Sequence, residues 1–256
     1  LSALLTVAAI QPVWAASATA TVSGFTIELI DLNPDDGIAP SLTLTGADYL
    51  SGHLYLALTD GDTQEEQSWE LDDPFTPVSN ALEHGTTATA ASLTGNGTFE
   101  STTLWSTATA YGLSAPPPPY QAYAGATAST LPYYILSANT QVVFSYWVDL
   151  NVSNDDALNW ADAATYARLY YNPEWGLYED AGLNLYSGAQ IGSWTLSDEI
   201  TLSYSNLGAD ATRIALHVES NAGALAEKVL VPEPQTSALL LVGLAALGFA
   251  ARRRLD

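Results

Sequence analysis

The sequence contains no cysteine and no methionine, only six lysines and arginines, and three histidines in 256 residues. Without cysteine there are no disulfides, no thiolate metal ligands and no thiol nucleophile. His53, His84 and His217 lie far apart, with no H-x-x-x-H or H-E-x-x-H spacing, which argues against a zinc site. Three of the six basic residues form the run Arg252, Arg253, Arg254. That leaves Arg168, Arg213 and Lys228 to face all of the 28 acidic residues except Glu233 and Asp256. A formal net charge of −22 argues against nucleic acid or anionic lipid as partners, and favours solubility, cation binding and a self-repulsion that divalent ions would relieve. A G-x-S-x-G elbow, a P-loop and a dinucleotide fingerprint are also missing. Acids are so abundant that a pair at glycosidase separation arises by chance, so paired carboxylates carry no information without a cleft. No catalytic residue and no cofactor is assigned. The expectation is a non-enzymatic protein, with a polysaccharide-modifying enzyme as the alternative.

What is present is concentrated first at the two ends. Residues 231–256 read VPEPQTSALLLVGLAALGFAARRRLD. Pro232 and Pro234 fix φ and remove two backbone donors, which holds Glu233 extended and exposed. Thr236 or Ser237 can cap a helix, and residues 236–251 carry no charge. At about 1.5 Å per residue that helix is roughly 24 Å long, short of a hydrocarbon core of about 30 Å. It spans only if Arg252, Arg253 and Arg254 snorkel and the bilayer thins locally. The same arginines set the C-terminus in the cytoplasm and the rest of the chain on the far side of the membrane.

At the other end, residues 1–15 form an apolar run closing on Val13-Trp14-Ala15. This is a small-x-small pattern with cleavage expected between Ala15 and Ala16, and Ala16-Ser17-Ala18 is a second candidate. With no methionine and no basic n-region before it, the segment reads as a truncated secretory signal peptide. The two ends describe one itinerary, in which the chain is exported and then held at the inner membrane as a transient single-pass protein until processing.

The tail resembles the PEP-CTERM sorting signal of Gram-negative bacteria. The residues that carry the resemblance are Val231, Pro232, Glu233 and Pro234, the apolar stretch 236–251, and Arg252–Arg254 as the cytoplasmic stop. The resemblance covers about a tenth of the chain. It implies recognition and cleavage near the signature by exosortase, a membrane-embedded cysteine transpeptidase, after passage through the export machinery. It further implies delivery to the cell surface or extracellular matrix and an association with exopolysaccharide and biofilm. It is silent about the activity of the body.

The body, residues 16–230, is long enough for one domain with a substantial core. Segments with period-two alternation, rich in Thr, Val, Tyr and Leu, predict strands at 21–32, 42–45, 53–59, 88–93, 98–105, 141–152, 164–171 and 190–196. Residues 199–220 read as a hairpin, with Ile200, Leu202 and Tyr204 on one arm, Ile214, Leu216 and Val218 on the other, and 206–210 as the turn. Gly95-Asn96-Gly97 is a tight-turn signal. Residues 60–77 read as an acidic loop, and Pro116 to Pro119 as an extended connection. With no convincing internal helix and no fixed-period repeat, the fold class expected is an all-β, jelly-roll-like antiparallel sandwich.

Two patterns within the body bear on ligands. Asp31-x-Asn33-x-Asp35-Asp36-Gly37 and Asn151-x-Ser153-x-Asp155 with Asp162 are partial calcium loops. The first has its glycine one place late and Leu42 at position twelve; the second lacks the glycine. Calcium-responsive assembly therefore stays open beside plain Asx-rich turns. Aromatic residues crowd 120–194, and rings flanked by carboxylates and amides suit sugar rings, while Tyr and Trp are also favoured strand residues that fill cores. The candidate carbohydrate contacts are Trp175, in the turn Asn172-Pro173-Glu174-Trp175-Gly176, together with Tyr170 and Tyr171.

Overall fold

The computed structural model describes residues 15–58, 63–71, 75–84, 87–94, 98–111, 120–171 and 177–228. Residues 1–14 of the expected signal peptide, the Gly95-Asn96-Gly97 turn, Pro116 to Pro119, the 172–176 turn with Trp175, and the sorting signal with its 236–251 segment and arginines lie outside these residues. Among those described there is no helix, and so none long and apolar enough to cross a membrane.

The described chain forms twelve strands: β1 (Ala15–Asp31), β2 (Leu42–Leu58), β3 (Thr63–Leu71), β4 (Val78–His84), β5 (Thr87–Thr94), β6 (Thr103–Tyr111), β7 (Tyr120–Leu136), β8 (Thr140–Asn154), β9 (Trp160–Tyr170), β10 (Tyr178–Tyr186), β11 (Gly192–Asn206) and β12 (Thr212–Lys228). They build two six-stranded sheets, the first in the order β11-β8-β1-β6-β5-β4 and the second in the order β10-β9-β12-β7-β2-β3. The pairings are antiparallel throughout. The fold is an antiparallel β-sandwich.

Strict alternation sets which face of each strand is buried. Ala16, Ala18, Ala20 and Val22 of β1 point inward, as do Val142, Phe144, Tyr146, Val148, Leu150 and Val152 of β8. The core is uneven. Toward one end it is lined by alanines from both sheets, among them Ala108 and Ala110 of β6 and Ala122, Ala124 and Ala126 of β7, and here the sheets come close enough to bond directly. The Ser106 and Ser220 hydroxyls meet at 2.8 Å across the sandwich, and Thr89 Oγ1 donates to the Gly125 carbonyl at 2.9 Å. Toward the other end an aromatic cluster fills the space, with Phe25 4.7 Å from Phe99 and 5.3 Å from Tyr146 between ring centres. Close-packed interiors accommodate both solutions when the side-chain volumes match the gap.

Several expectations need correction. Residues 199–220 do not form a hairpin: β11 pairs with β8 in the first sheet, while β12 pairs with β7 and β9 in the second. Each arm does carry an inward stripe, but alternation specifies a face and leaves the partner undetermined. The acidic segment 60–77 contains a strand, β3, whose Trp69 packs against the core. Residues 98–102 form a turn that buries Phe99, so the strand predicted from 98 begins at Thr103. The segments 42–45 and 53–59 belong to one strand, β2, with register shifts against β7 between Leu44 and Gly46 and between Ala47 and Leu50.

The two partial calcium patterns take the following places in the fold. Asp31 accepts the Asn33 N–H at 2.9 Å, and Asp36 accepts from the Ile38 N–H at 2.7 Å and the Asn139 amide at 2.6 Å, as Asx turns do. In the second pattern, Asn151 lies on the outer face of the first sheet and Asp162 on the outer face of the second, so one ion cannot bridge them. No group of three or more His, Asp or Glu among the described residues is placed to hold a metal ion.

Candidate functional site

The outward face of the second sheet collects the groups that could hold a ligand, and strand register lines them up in rows across it. One row runs Tyr186, Asp162, Gly223, Gly125, Tyr55, Glu66 over β10, β9, β12, β7, β2 and β3. The next runs Asn184, Ala164, Asn221, Thr127, His53, Ser68, and a third Gly182, Tyr166, Glu219, Ser129, Ser51, Glu70. Small residues in mid-sheet and large ones at the sides leave a trough.

Two cavities share His53 and Thr127 and so form one continuous groove. One, of about 520 Å³, is bordered by Ser51, His53, Ser68, Glu70, His217 and Glu219. The other, of about 450 Å³, is bordered by Tyr55, Tyr123, Gly125, Asp162, Asn221 and Gly223. Both volumes fall in the range of small-molecule sites.

The floor of the second cavity depends on two glycines paired across β7 and β12. A Cβ on Gly223 would lie 2.4 Å from Asp162 Oδ1, and one on Gly125 would lie 3.0 Å from the Tyr123 hydroxyl. A Cβ at Gly223 would push the Asp162 carboxylate off the sheet, and one at Gly125 would crowd the Tyr123 ring. Along one side runs a line of rings: Tyr186 is 6.2 Å from Trp160, Trp160 is 5.8 Å from Tyr123, and Tyr123 is 5.6 Å from Tyr55.

The polar groups are ordered by one another. Thr127 Oγ1 donates to Asn221 Oδ1 at 2.7 Å, and Asn221 Nδ2 donates to Glu219 Oε1 at 2.6 Å. The other Glu219 oxygen stands 3.7 Å from His217 Nε2. Burial is the main cause that lowers the pKa of His217 and favours its neutral form; Glu219 opposes that shift and Arg168 adds to it. At the opposite wall, His53 Nε2 and Glu66 Oε1 are 2.6 Å apart. Asp162 is different, having no hydrogen-bond or ion-pair partner among the described residues. Burial pushes its carboxyl above the usual range, and its charge and that of Tyr55 add to the burial that raises the Tyr123 phenol.

The residues expected from the sequence to contact sugar fare differently. Tyr170 is on this outer face, where it accepts a hydrogen bond from Arg168 and sits 6.0 Å from Tyr178. The Arg168 guanidinium stacks 4.1 Å over the Tyr178 ring, a cation–π contact that occupies the ring face. Tyr171 is stacked on Tyr204 at 4.7 Å and 11° and packs against the core, so its ring is taken. Ala16 is buried in the core and Ala15 opens β1, its N–H donating to the Asp155 carboxylate. Sequence reading missed Tyr55, Tyr123, Trp160, Asp162 and Asn221 as one site. The paired glycines opposite each other were the legible signal, but only once register is known.

Residues 230–254 match the PEP-CTERM protein-sorting motif. The chain thus carries an exosortase-directed sorting signal, which implies export and a surface or extracellular destination. No curated protein matches the chain. Among solved structures, the chain aligns with the N-terminal CBM22-1-CBM22-2 tandem domain of Paenibacillus barcinonensis Xyn10C at 9% identity, covering 84% of this chain and 79% of that one, with a TM-score of 0.19. A carbohydrate-binding module of the β-sandwich superfamily aligns at 10% identity over 82% of this chain and 98% of that one, with a TM-score of 0.12.

Proposed function

We propose that this chain, which carries the PEP-CTERM sorting motif at its C-terminus, is an exported, non-enzymatic matrix protein that binds polysaccharide in the groove on its second sheet. Exosortase processes the tail after a transient hold in the inner membrane, and the body remains with the exopolysaccharide. The observation that carries this reading is the groove itself, where a line of aromatic rings borders a glycine floor beside hydroxyl, amide and carboxylate groups. Sugar rings present apolar C–H faces to aromatic side chains and hydroxyls to polar ones, and this trough offers both.

Binding is favoured over catalysis by the carboxylates. Glu219 is held by Asn221 and Glu66 by His53, and Asp162 lies two rows from Glu219, about 13 Å of strand.

The test is retention of the full chain on immobilised polysaccharides, in a detergent without a sugar headgroup. Tyr123→Ala is expected to weaken retention about tenfold by removing the central ring of the line. Trp147→Ala, on the outer face of the other sheet and half exposed, is expected to leave it unchanged. Equal retention of the wild type and Tyr123→Ala, or retention on no polysaccharide at all, would falsify the reading.

A further inference from the structure

The cavity around Asp162 has features that specify a kind of sugar. Its carboxylate is unpartnered among the described residues, lies directly on the Gly223 backbone and faces a space of about 450 Å³. Cations are distant in the register: Arg168 is three rows along β9 and stacked on tyrosines, and Lys228 pairs with Tyr120 beyond the ring line. Of the nearer ionisable groups, Glu66 at the end of the same row and Glu219 two rows away are acidic, and His53, which borders the cavity one row over, has its Nε2 2.6 Å from Glu66 Oε1 and so is already engaged. His217, which burial and Arg168 keep toward its neutral form, adds little positive charge. A carboxylate can only accept hydrogen bonds, so its natural partners are donors. The cavity crosses from β2 to β9, three strand spacings or about 14 Å, which suits a short run of linked rings more than a single one.

Resting on the polysaccharide-binding reading, we infer that this cavity is a subsite for uncharged sugar rings, with Asp162 accepting ring hydroxyls beside Tyr123 and Trp160, so that the groove selects neutral glycans over anionic ones. An ionised carboxylate accepting from hydroxyls makes a charge-assisted bond of roughly twice the ordinary strength. A uronate placed in the same cavity would set a second carboxylate beside Asp162 with no lysine or arginine to offset it and with His53 turned to Glu66, and like charges brought together are disfavoured.

The experiment titrates the full chain, in the same detergent, with neutral gluco- and manno-oligosaccharides and with oligogalacturonate at pH 7. Neutral chains are expected to bind at least about tenfold more tightly than the uronate. Asp162→Asn, which preserves shape and removes the charge, is expected to weaken neutral binding about tenfold and to narrow the preference against uronate. Gly223→Ala, which displaces the carboxylate, is expected to do the same, and circular dichroism reports whether either variant is folded. Uronate binding as tight as neutral binding in the wild type would overturn the inference while leaving polysaccharide binding intact. So would Asp162→Asn binding neutral chains with unchanged affinity while Tyr123→Ala loses them. Binding of neither class would remove the underlying reading together with this one.

Discussion

Asp162 shows how one residue can cost stability and still belong to the site. In the unfolded chain it titrates in the ordinary carboxylate range, and in the fold burial raises it. The folded state therefore holds that proton more tightly. Its ionisation begins to cost stability as pH rises past the unfolded value, and the cost is complete above the folded one. Asp162→Asn is thus expected to be more stable than the wild type at pH 7. The gain is about 0.5 kcal/mol after allowing for solvent screening of a partly exposed group, or about 1–2 °C in melting temperature. Near pH 3 the advantage should largely vanish, because the carboxyl is then mostly protonated in both states. Thermal denaturation at the two pH values decides it: an Asn variant that melts below the wild type at pH 7 would show that the carboxylate is stabilising. Combined with lost glycan affinity, a stabilising Asp162→Asn is the signature of a group kept for binding.

At the scale of elements, β3 decides whether the groove has its outer wall. The strand lies in a segment rich in carboxylates, and it docks because Trp69 turns inward over Gly52. A Cβ on Gly52 would fall 1.8 Å from the Trp69 ring, so alanine there cannot coexist with the docked indole. Gly52→Ala is expected to expel the ring, shift tryptophan fluorescence to the red and lower unfolding free energy by about 3 kcal/mol. Native fluorescence with an unchanged denaturant midpoint would mean that Trp69 has another seat. Because Ser68 and Glu70 of β3 border the groove, the same variant is expected to loosen the wall opposite His217.

For the whole molecule, the balance of charge and the ends of the chain govern fate more than fold. The net charge of −22 on the whole chain, nearly all of its acids lying in the body, favours solubility and repels other anionic polymers, consistent with a preference for neutral glycan. The proposed itinerary expects the released protein to lack residues 1–15 and the part of the tail beyond the Pro232-Glu233-Pro234 signature. Intact mass spectrometry of protein from the medium of a producing cell checks both points together. A released species that retains the arginine run would remove processing at the signature from the account.

The sorting signal and the all-β class are legible in the chain before it folds, because both are written in local order. The tail is a contiguous string of residue types, and inward stripes such as Ile214, Leu216 and Val218 repeat along one strand. The sequence also raised aromatic residues as candidate contacts, among them Tyr171, whose ring the fold stacks on Tyr204. The site was not legible, since Tyr55, Tyr123, Asp162 and Gly223 come from four strands and meet only through register. Alternation fixes which side of a strand faces inward, but neighbours are chosen by packing across the whole sandwich. For that reason β11 and β12 look like a hairpin in sequence and lie in opposite sheets in the structure. Only the tertiary structure set two glycines side by side and opened a groove above them.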